Sequence, residues 1–364
     1  MQRDNTDNFR ALFLNDTPLM DVRAPVEFIH GAFPHTINVP ILDDEQRHLV
    51  GTKYKEAGQD EAIKLGVELI TPEIREQRLK QWTAFCEQNT EGFLYCFRGG
   101  LRSRTTQQWL KESGVSYPLI KGGYKALRRF LIDELEESIQ QVPFIRVAGR
   151  TGSGKTHVLL KMQHYLDFEG IAQHKGSAFG RNVTDTQPSI INWENQISIE
   201  MLKHNENHSS RVLFVEDEGR MIGRCVMPDN LHQKMVHSPS IMLLESDEKR
   251  IDNITQDYVE DPWPLYQQQY ADEAEEYYSA FMLSSLERIQ KRLGLELYKE
   301  VKVIFENGLN QLFNQQNSQG FRDAFEILLT KYYDPMYDYQ MNKRQGDVLF
   351  EGNEAEIIAW SNER

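Results

Sequence analysis

The stretch FIRVAGRTGSGKTHVLLKMQ, residues 144–163, limits the fold more than any other part of the chain. Gly149-Arg150-Thr151-Gly152-Ser153-Gly154-Lys155-Thr156 satisfies G-x-x-x-x-G-K-[ST], preceded by a β-rich apolar run and followed by helix-forming residues. Such a loop works only where a strand delivers it and a helix leaves it. The glycines let backbone N–H groups turn inward around phosphate oxygens, and the helix N-terminus adds positive potential. Lys155 then reaches the outer phosphate and Thr156 can ligate Mg²⁺. A second apolar run, RVLFVEDEGR, ends in Glu216 and Asp217, and either acid suits a Mg²⁺ site beside the loop. No arginine finger or water-positioning residue stands out. The loop therefore implies a diphosphate-bearing ligand, without identifying it as ATP or implying hydrolysis.

Upstream, strand and helix patterns alternate, which predicts a parallel α/β sheet. PLMDVRAPVEFIHGAFPHTINVP reads as short strands and turns, and residues 54–90 as helices, with Ile74, Leu79, Trp82 and Phe85 at helical spacing. GFLYCF reads as a buried strand, and SRTTQQWLKESG as an amphipathic helix capped at Gly114. YPLIKGGYKALRRFLIDELEESI adds a strand, a Gly-Gly turn and a helix. The pattern restarts after EESIQQVP, and 364 residues exceed one ordinary core. Two domains are expected, over residues 1–138 and 143–364, the second with a helix-rich C-terminal part. Its aromatic stripes, including Tyr270, Tyr277, Tyr278 and Phe281, read as helix packing.

A net charge of −14 argues against a nucleic-acid binder until its distribution is examined. Residues 98–129 carry eight basic side chains against one acid, so a local basic face coexists with an acidic whole. No apolar stretch approaches the ~20 residues that span a bilayer, and MQRDNTDNFR lacks a signal peptide's apolar segment. A cytoplasmic protein without a membrane partner is expected. Cys86, Cys96 and Cys225 form no Cys-x-x-Cys pair, which disfavours a disulfide framework or thiolate zinc site.

Cys96 alone has an unusual setting. It ends a strand and precedes Phe97, Arg98, Gly99, Gly100, Leu101, Arg102 and Ser103, a sequence suited to a tight loop opening a helix. Loop amides, Arg98, Arg102 and the helix N-terminus all favour thiolate, which makes the sulfur a nucleophile. The same cradle suits a phosphate or a sulfur-bound persulfide.

DVRAPVEFIHGAFPHTINVP, YCFRGGLRS and KGGYKAL resemble the N-terminal signature, active-site loop and closing segment of rhodanese domains. A rhodanese-like domain joined to a P-loop domain resembles the bacterial tRNA 2-selenouridine synthase family. VGTKYKEAGQDEAIKLG, GGYKALRRFL, GRTGSGKT, FEGIAQHKGSAFGR and EDEGRMIG follow in the expected order. Lys175 stands where the family is expected to favour Arg. The resemblance implies conversion of wobble 2-thiouridine, at tRNA position 34 and of the 5-methylaminomethyl type, to 2-selenouridine with selenophosphate as donor. It also implies S-geranylation of the same base from geranyl diphosphate, whose diphosphate the P-loop would hold. No tightly bound cofactor is expected beyond Mg²⁺. Cys96 would attack selenophosphate or carry a perselenide, Arg98 and Arg102 would offset negative charge, and Asp21 and Arg23 would brace the domain. His174, Lys175, Ser177 and Arg181, and the basic helix bearing Lys125, Arg128 and Arg129, are candidate phosphate or tRNA contacts.

Three other readings remain open at this level. Cys96 to Arg102 also has the Cys-x5-Arg spacing of a phosphatase. A sulfurtransferase with a regulatory P-loop domain is a second, and a nucleotide-dependent binding protein with a sulfur-sensing domain is a third.

Overall fold

A computed structural model describes residues 3–184, 186–208, 211–341 and 346–364. The chain divides into two compact units, Met1–Ser138 with Ile191–Lys203, and Ile139–Ile190 with His204–Arg364.

The first unit is built on three parallel strands, β1 (Leu19–Asp21), β2 (Thr36–Asn38) and β3 (Phe93–Tyr95), in the order β2-β1-β3. β1 is wholly buried, with Leu19 and Met20 on opposite faces and Asp21 at its end, as expected of a central strand covered on two sides. The strand expected in YPLI is reduced to single bridges, Leu119 with Leu94 and Ile120 with Thr6. Between β1 and β2 the sequence suggested only strands and turns, yet Pro25–His30 is a helix. Pro25 pre-sets its first turn and the Glu27 carboxylate accepts from the Ala24 N–H, a local start signal too short to show as periodicity.

Asp44–Leu69 is two helices meeting at Gly58, whose φ of 83° no helix tolerates. Pro72–Gln88 follows, with Thr71 capping its N-terminus. Its Trp82 is fully buried and donates from Nε1 to the Val39 carbonyl at 2.9 Å. Leu101–Glu112 ends as the sequence suggested, with Gly114 at φ 90° just beyond. Met20, Val22, Trp82, Phe85, Leu94 and Leu110 fill one side of the sheet. Phe13, Phe33, Tyr95, Leu127, Leu131 and Leu202 fill the other. Leu202 comes from the helix Ile190–His208, whose residues 191–203 belong to this unit despite following the phosphate loop in sequence.

The second unit contains β4 (Phe144–Ala148), β5 (Tyr165–Leu166), β6 (Leu213–Glu216), the short antiparallel pair β7 (Met221–Ile222) and β8 (Cys225–Val226), β9 (Ser240–Leu243) and β10 (Val348–Gly352). Five of these form a parallel sheet in the order β10-β9-β4-β6-β5. The fully buried β4 is its centre. The phosphate-loop helix is only Lys155–Leu159, shorter than the helix-forming sequence suggests. Tyr165 and Leu166 pair instead with Phe214 and Val215 of β6, so tertiary pairing overrides local propensity.

The C-terminal helices pack around Tyr278, Phe281, Met282, Phe305 and Phe321, so most of the aromatic stripe is core. Tyr277 is the exception, 46% exposed and stacked on Tyr270 at 4.2 Å. No helix among the described residues is long and apolar enough to cross a membrane.

Candidate functional site

Cys96 leaves the end of β3 and is buried. Its Sγ lies 3.1 Å from Ser103 Oγ, and that hydroxyl is also 3.1 Å from the Gly100 carbonyl. Ser103 has one proton for two acceptors. With a thiol, S–H donates to Ser103 and Ser103 donates to Gly100; with a thiolate, the serine proton turns to sulfur.

The loop is held by KGGY, residues 121–124. Tyr124 N–H donates to the Cys96 carbonyl and Lys125 N–H to the Phe97 carbonyl, each at 2.9 Å. Gly123 has φ 58°, and a Cβ there would stand 2.2 Å from the Cys96 carbonyl oxygen and 2.6 Å from the Gly99 nitrogen. Only glycine permits that approach. The closing segment is thus a backbone clamp on the cysteine loop.

Asp21 and Arg23 form a buried ion pair. Arg23 Nη2 lies 2.6 Å from Asp21 Oδ2 and 2.6 Å from the Gly31 carbonyl, with the guanidinium 3.8 Å from the Tyr124 ring centroid. Burial raises the Asp21 pKa despite the arginine. Through the Tyr124 ring this pair ties β1 to the segment that clamps the Cys96 loop. Arg98 is exposed beside the Phe97 ring, whereas Arg102 turns away to a bidentate pair with Glu27, at 2.6 and 3.2 Å. Burial works to raise the Glu27 pKa, but the Arg102 bonds and charge, with Arg47 nearby, bring it below the usual carboxylate value. Cys86 and Cys225 are buried thiols, pushed up by burial to about 12 and about 11.

Beside the cysteine loop lies a cavity of about 1510 Å³. Its walls include the two-helix arm Asp44–Leu69 and the Phe97, Leu101 and Trp109 side chains, with Glu27, Arg47, Lys55 and Arg102 among its charged groups. Cys96 itself does not line it.

In the second unit the phosphate loop has the conformation its sequence demands, with Gly152 at φ 80° and Gly154 at φ 83°. Its Thr151 carbonyl accepts from Arg250 Nε and its Gly152 carbonyl from Asn253 Nδ2, both at 2.9 Å. Arg250 is itself buried and paired with Asp334. Lys155 Nζ rests 3.0 Å from the Gly149 carbonyl. Arg150 is half-exposed and faces Asp338 and Asp334.

Of the two acids offered by the sequence, Glu216 faces the loop. Thr156 Oγ1 is 3.0 Å from Glu216 Oε1 and 3.3 Å from Glu169 Oε2, and Glu169 N–H donates to Glu216 Oε2 at 3.1 Å. Asp217 pairs instead with buried Arg146 at 2.6 Å. Glu169 also accepts from the Gly176 N–H. Burial, then repulsion from Glu169 and Asp167, holds the Glu216 pKa well above its ordinary value. Burial and the Glu169 charge push Glu218 up to about 8, against the pull of Lys155. Thr156 and Glu216 fit a Mg²⁺ ion that draws its other ligands from phosphate and water. No group of three or more His, Cys, Asp or Glu side chains suited to a metal occurs among the described residues.

The remaining basic candidates are largely engaged within their units. Lys175 pairs with Asp257 at 2.5 Å, Ser177 meets Tyr258 Oη at 2.9 Å, and Arg181 reaches Ser284 at 3.2 Å. His174 is buried and bridges backbone to backbone with Arg181. Arg128 pairs with Glu194 and Arg129 with Asp133, which leaves Lys125 and Arg98 as exposed cations.

Sequence reasoning missed Glu27, Glu169, Glu218, Arg250 and Asn253. Glu169 and Glu218 lie inside segments that carried the resemblance, FEGIAQHKGSAFGR and EDEGRMIG. Arg250 and Asn253, three apart on the helix Asp247–Thr255, carry no local signal.

A cysteine-loop α/β unit joined to an α/β unit with a P-loop-like segment defines a two-part class of protein. Residues 142–364 match the family model described as tRNA 2-selenouridine synthase AAA domain. Proteins named tRNA 2-selenouridine synthase are similar along the whole chain. The one from Marinobacter nauticus is 47% identical, covering 100% of this chain and 98% of that protein. That from Alcanivorax borkumensis is 45% identical with 100% of both covered, and that from a Sulfurovum species is 42% identical with 98% of each. The chain belongs to the tRNA 2-selenouridine synthase family.

Proposed function

We propose that this protein is a transferase that converts the 2-thiouridine at the wobble position 34 of tRNA, of the 5-methylaminomethyl type, into 2-selenouridine. Selenophosphate is the selenium donor, and geranyl diphosphate activates the sulfur first. A thiocarbonyl sulfur leaves poorly. Once its lone pair has attacked C1 of the geranyl group and diphosphate has departed, the alkylated sulfur leaves C2 as a thiol when selenium adds. In this reading the first unit is rhodanese-like, Cys96 is the selenium-handling nucleophile, Ser103 supplies or withdraws its hydrogen bond as the sulfur changes charge, and Asp21 and Arg23 hold the framework.

The observation that carries the prenyl step is the cavity beside the cysteine loop. A C10 chain needs an apolar enclosure and its diphosphate needs cations; the helical arm offers the first, and Arg47 and Lys55 the second, while Arg102 is held by Glu27. In this reading the donor binds in the first unit, where the resemblance alone would have put its diphosphate on the phosphate loop. Lys125 and Arg98, both exposed, suit tRNA backbone contacts.

Gly51 lines the cavity and a Cβ added there meets nothing within 4 Å, so Gly51→Trp puts an indole on its wall without backbone strain. S-geranylation by this variant should fall at least tenfold while the protein remains folded. Unchanged geranylation would place the chain elsewhere.

A further inference from the structure

We infer, resting on the transferase reading above, that the cavity of the first unit takes a second occupant beside the prenyl donor. This occupant is the unstacked target nucleotide of the tRNA's single-stranded anticodon loop, and its base stacks on Tyr54. Every residue involved lies in the unit Met1–Ser138 with Ile191–Lys203.

The cavity, about 1510 Å³, exceeds the ~300–1,000 Å³ that encloses one small ligand. Its wall also has two characters. Ile41, Leu42 and Ala62 are buried and give it an apolar part suited to a C10 chain. His48, Tyr54, Lys55 and Gln59, all on the helical arm, are exposed and give it a polar rim with one aromatic face. A prenyl chain has no use for that rim.

Four aromatic side chains line the cavity, namely Tyr54, Phe97, Trp109 and Tyr124, and three of them are engaged. Phe97 stacks on Tyr124 at 6.0 Å, and Tyr124 also meets the Arg23 guanidinium. Trp109 packs on Trp82 at 6.1 Å and carries Arg75 over its ring. Tyr54 is 57% exposed and meets no ring or cation among the described residues.

Lysines flank Tyr54 on both sides in the sequence. The ion pairs of the arm among the described residues are Arg47 with Glu27 and Lys64 with Glu61, so Lys53 and Lys55 keep their charges uncompensated. Lys55 lines the cavity, where the donor's diphosphate needs it, whereas Lys53 does not line it. Lys53 is thus left for the backbone phosphate of the nucleotide whose base Tyr54 holds. An aromatic face set between free cations is how proteins hold single-stranded RNA. The geometry of the reaction asks for the same thing. The C2 sulfur of a base stacked in its loop cannot enter an enclosed cavity, so the base must leave the stack, and Tyr54 replaces the stacking it gives up.

The test uses the full chain and two RNA stem-loops of one anticodon sequence, the first with 2-thiouridine at position 34 and the second abasic there. Affinity is read by fluorescence anisotropy. Wild type and Tyr54→Phe should bind the thiouridine loop within twofold of each other, and Tyr54→Ala should bind it about 5- to 150-fold more weakly. On the abasic loop, wild type and Tyr54→Ala should agree within twofold, because the ring has no base to stack on. Lys53→Met should weaken both loops alike and lower the salt slope by about 0.7; an unchanged slope would remove Lys53 from the contact. Equal binding of the thiouridine loop by wild type and Tyr54→Ala, or an equal loss on both loops, would overturn the stacking and leave the transferase reading in place. Failure of the folded wild type to bind the thiouridine loop would overturn the tRNA reading and this assignment with it.

Discussion

Gly123→Ala should cost the first unit far more than Gly114→Ala, although both glycines have positive φ. Gly114, at φ 90°, has nothing within 4 Å of a Cβ position. Alanine there pays only for the left-handed backbone, about 1 kcal/mol. At Gly123, φ 58°, the same backbone cost is joined by contacts of 2.2 Å to the Cys96 carbonyl and 2.6 Å to the Gly99 nitrogen. These are backbone atoms, so no side-chain rotation relieves them, and overpacking of this kind adds about 1–3 kcal/mol. The expected total for Gly123→Ala is about 2–4 kcal/mol. Cys86 is buried in the same unit and its thiol is pushed up by burial, so alkylation of Cys86 followed by peptide mass spectrometry reports the unit's opening. Relative to wild type, labelling should accelerate about fivefold for Gly114→Ala and roughly 30- to 1,000-fold for Gly123→Ala. Equal acceleration by the two substitutions would refute the backbone clamp.

Arg250→Met removes the donor to the Thr151 carbonyl and leaves buried Asp334 without its closest cation. Breaking such a pair costs about 3–5 kcal/mol, so Cys225 in the second unit should be alkylated at least 100-fold faster. Because Glu218 is held at about 8 in the folded protein, against an ordinary value of 4.5, the unfolded chain loses this proton first as pH rises. The contribution of this one carboxyl to the second unit's stability is therefore fully present below about pH 4.5 and lost progressively up to about pH 8. Melting followed from pH 5 to pH 8.5 should fall less steeply for Glu218→Gln than for wild type, and parallel curves would contradict the burial of that carboxylate.

Much of the phosphate loop was legible because local chemistry dictates it. Glycines at fixed spacing, a lysine and a threonine can serve in that order only between a strand and a helix, and β4 and Lys155–Leu159 supply them. The cysteine loop was legible as a tight turn for the same reason. Its clamp was not, because the contact of Gly123 with Cys96 joins residues 27 apart and depends on how the helix Gly123–Gln141 docks. The sequence also left Glu216 and Asp217 equivalent. Period-two alternation along β6 decides between them, since Asp217 falls to the side where Arg146 of β4 waits. Arg102 illustrates the opposite limit. Its spacing from Cys96 suggested an anion partner for the sulfur, but Glu27, on a six-residue helix without periodic signal, takes both of its Nη atoms. β10 lies more than 100 residues beyond its neighbour β9, a pairing that no local pattern announces.

The most direct test of the tRNA reading is nucleoside mass spectrometry of position 34 after 2-thiouridine tRNA is incubated with geranyl diphosphate and selenophosphate, singly and together. The wild type should give S-geranyl-2-thiouridine with the first donor alone and 2-selenouridine with both, whereas Cys96→Ser should stop at the geranylated base. Recovery of unchanged 2-thiouridine from the folded wild type, or 2-selenouridine from Cys96→Ser, would contradict the account.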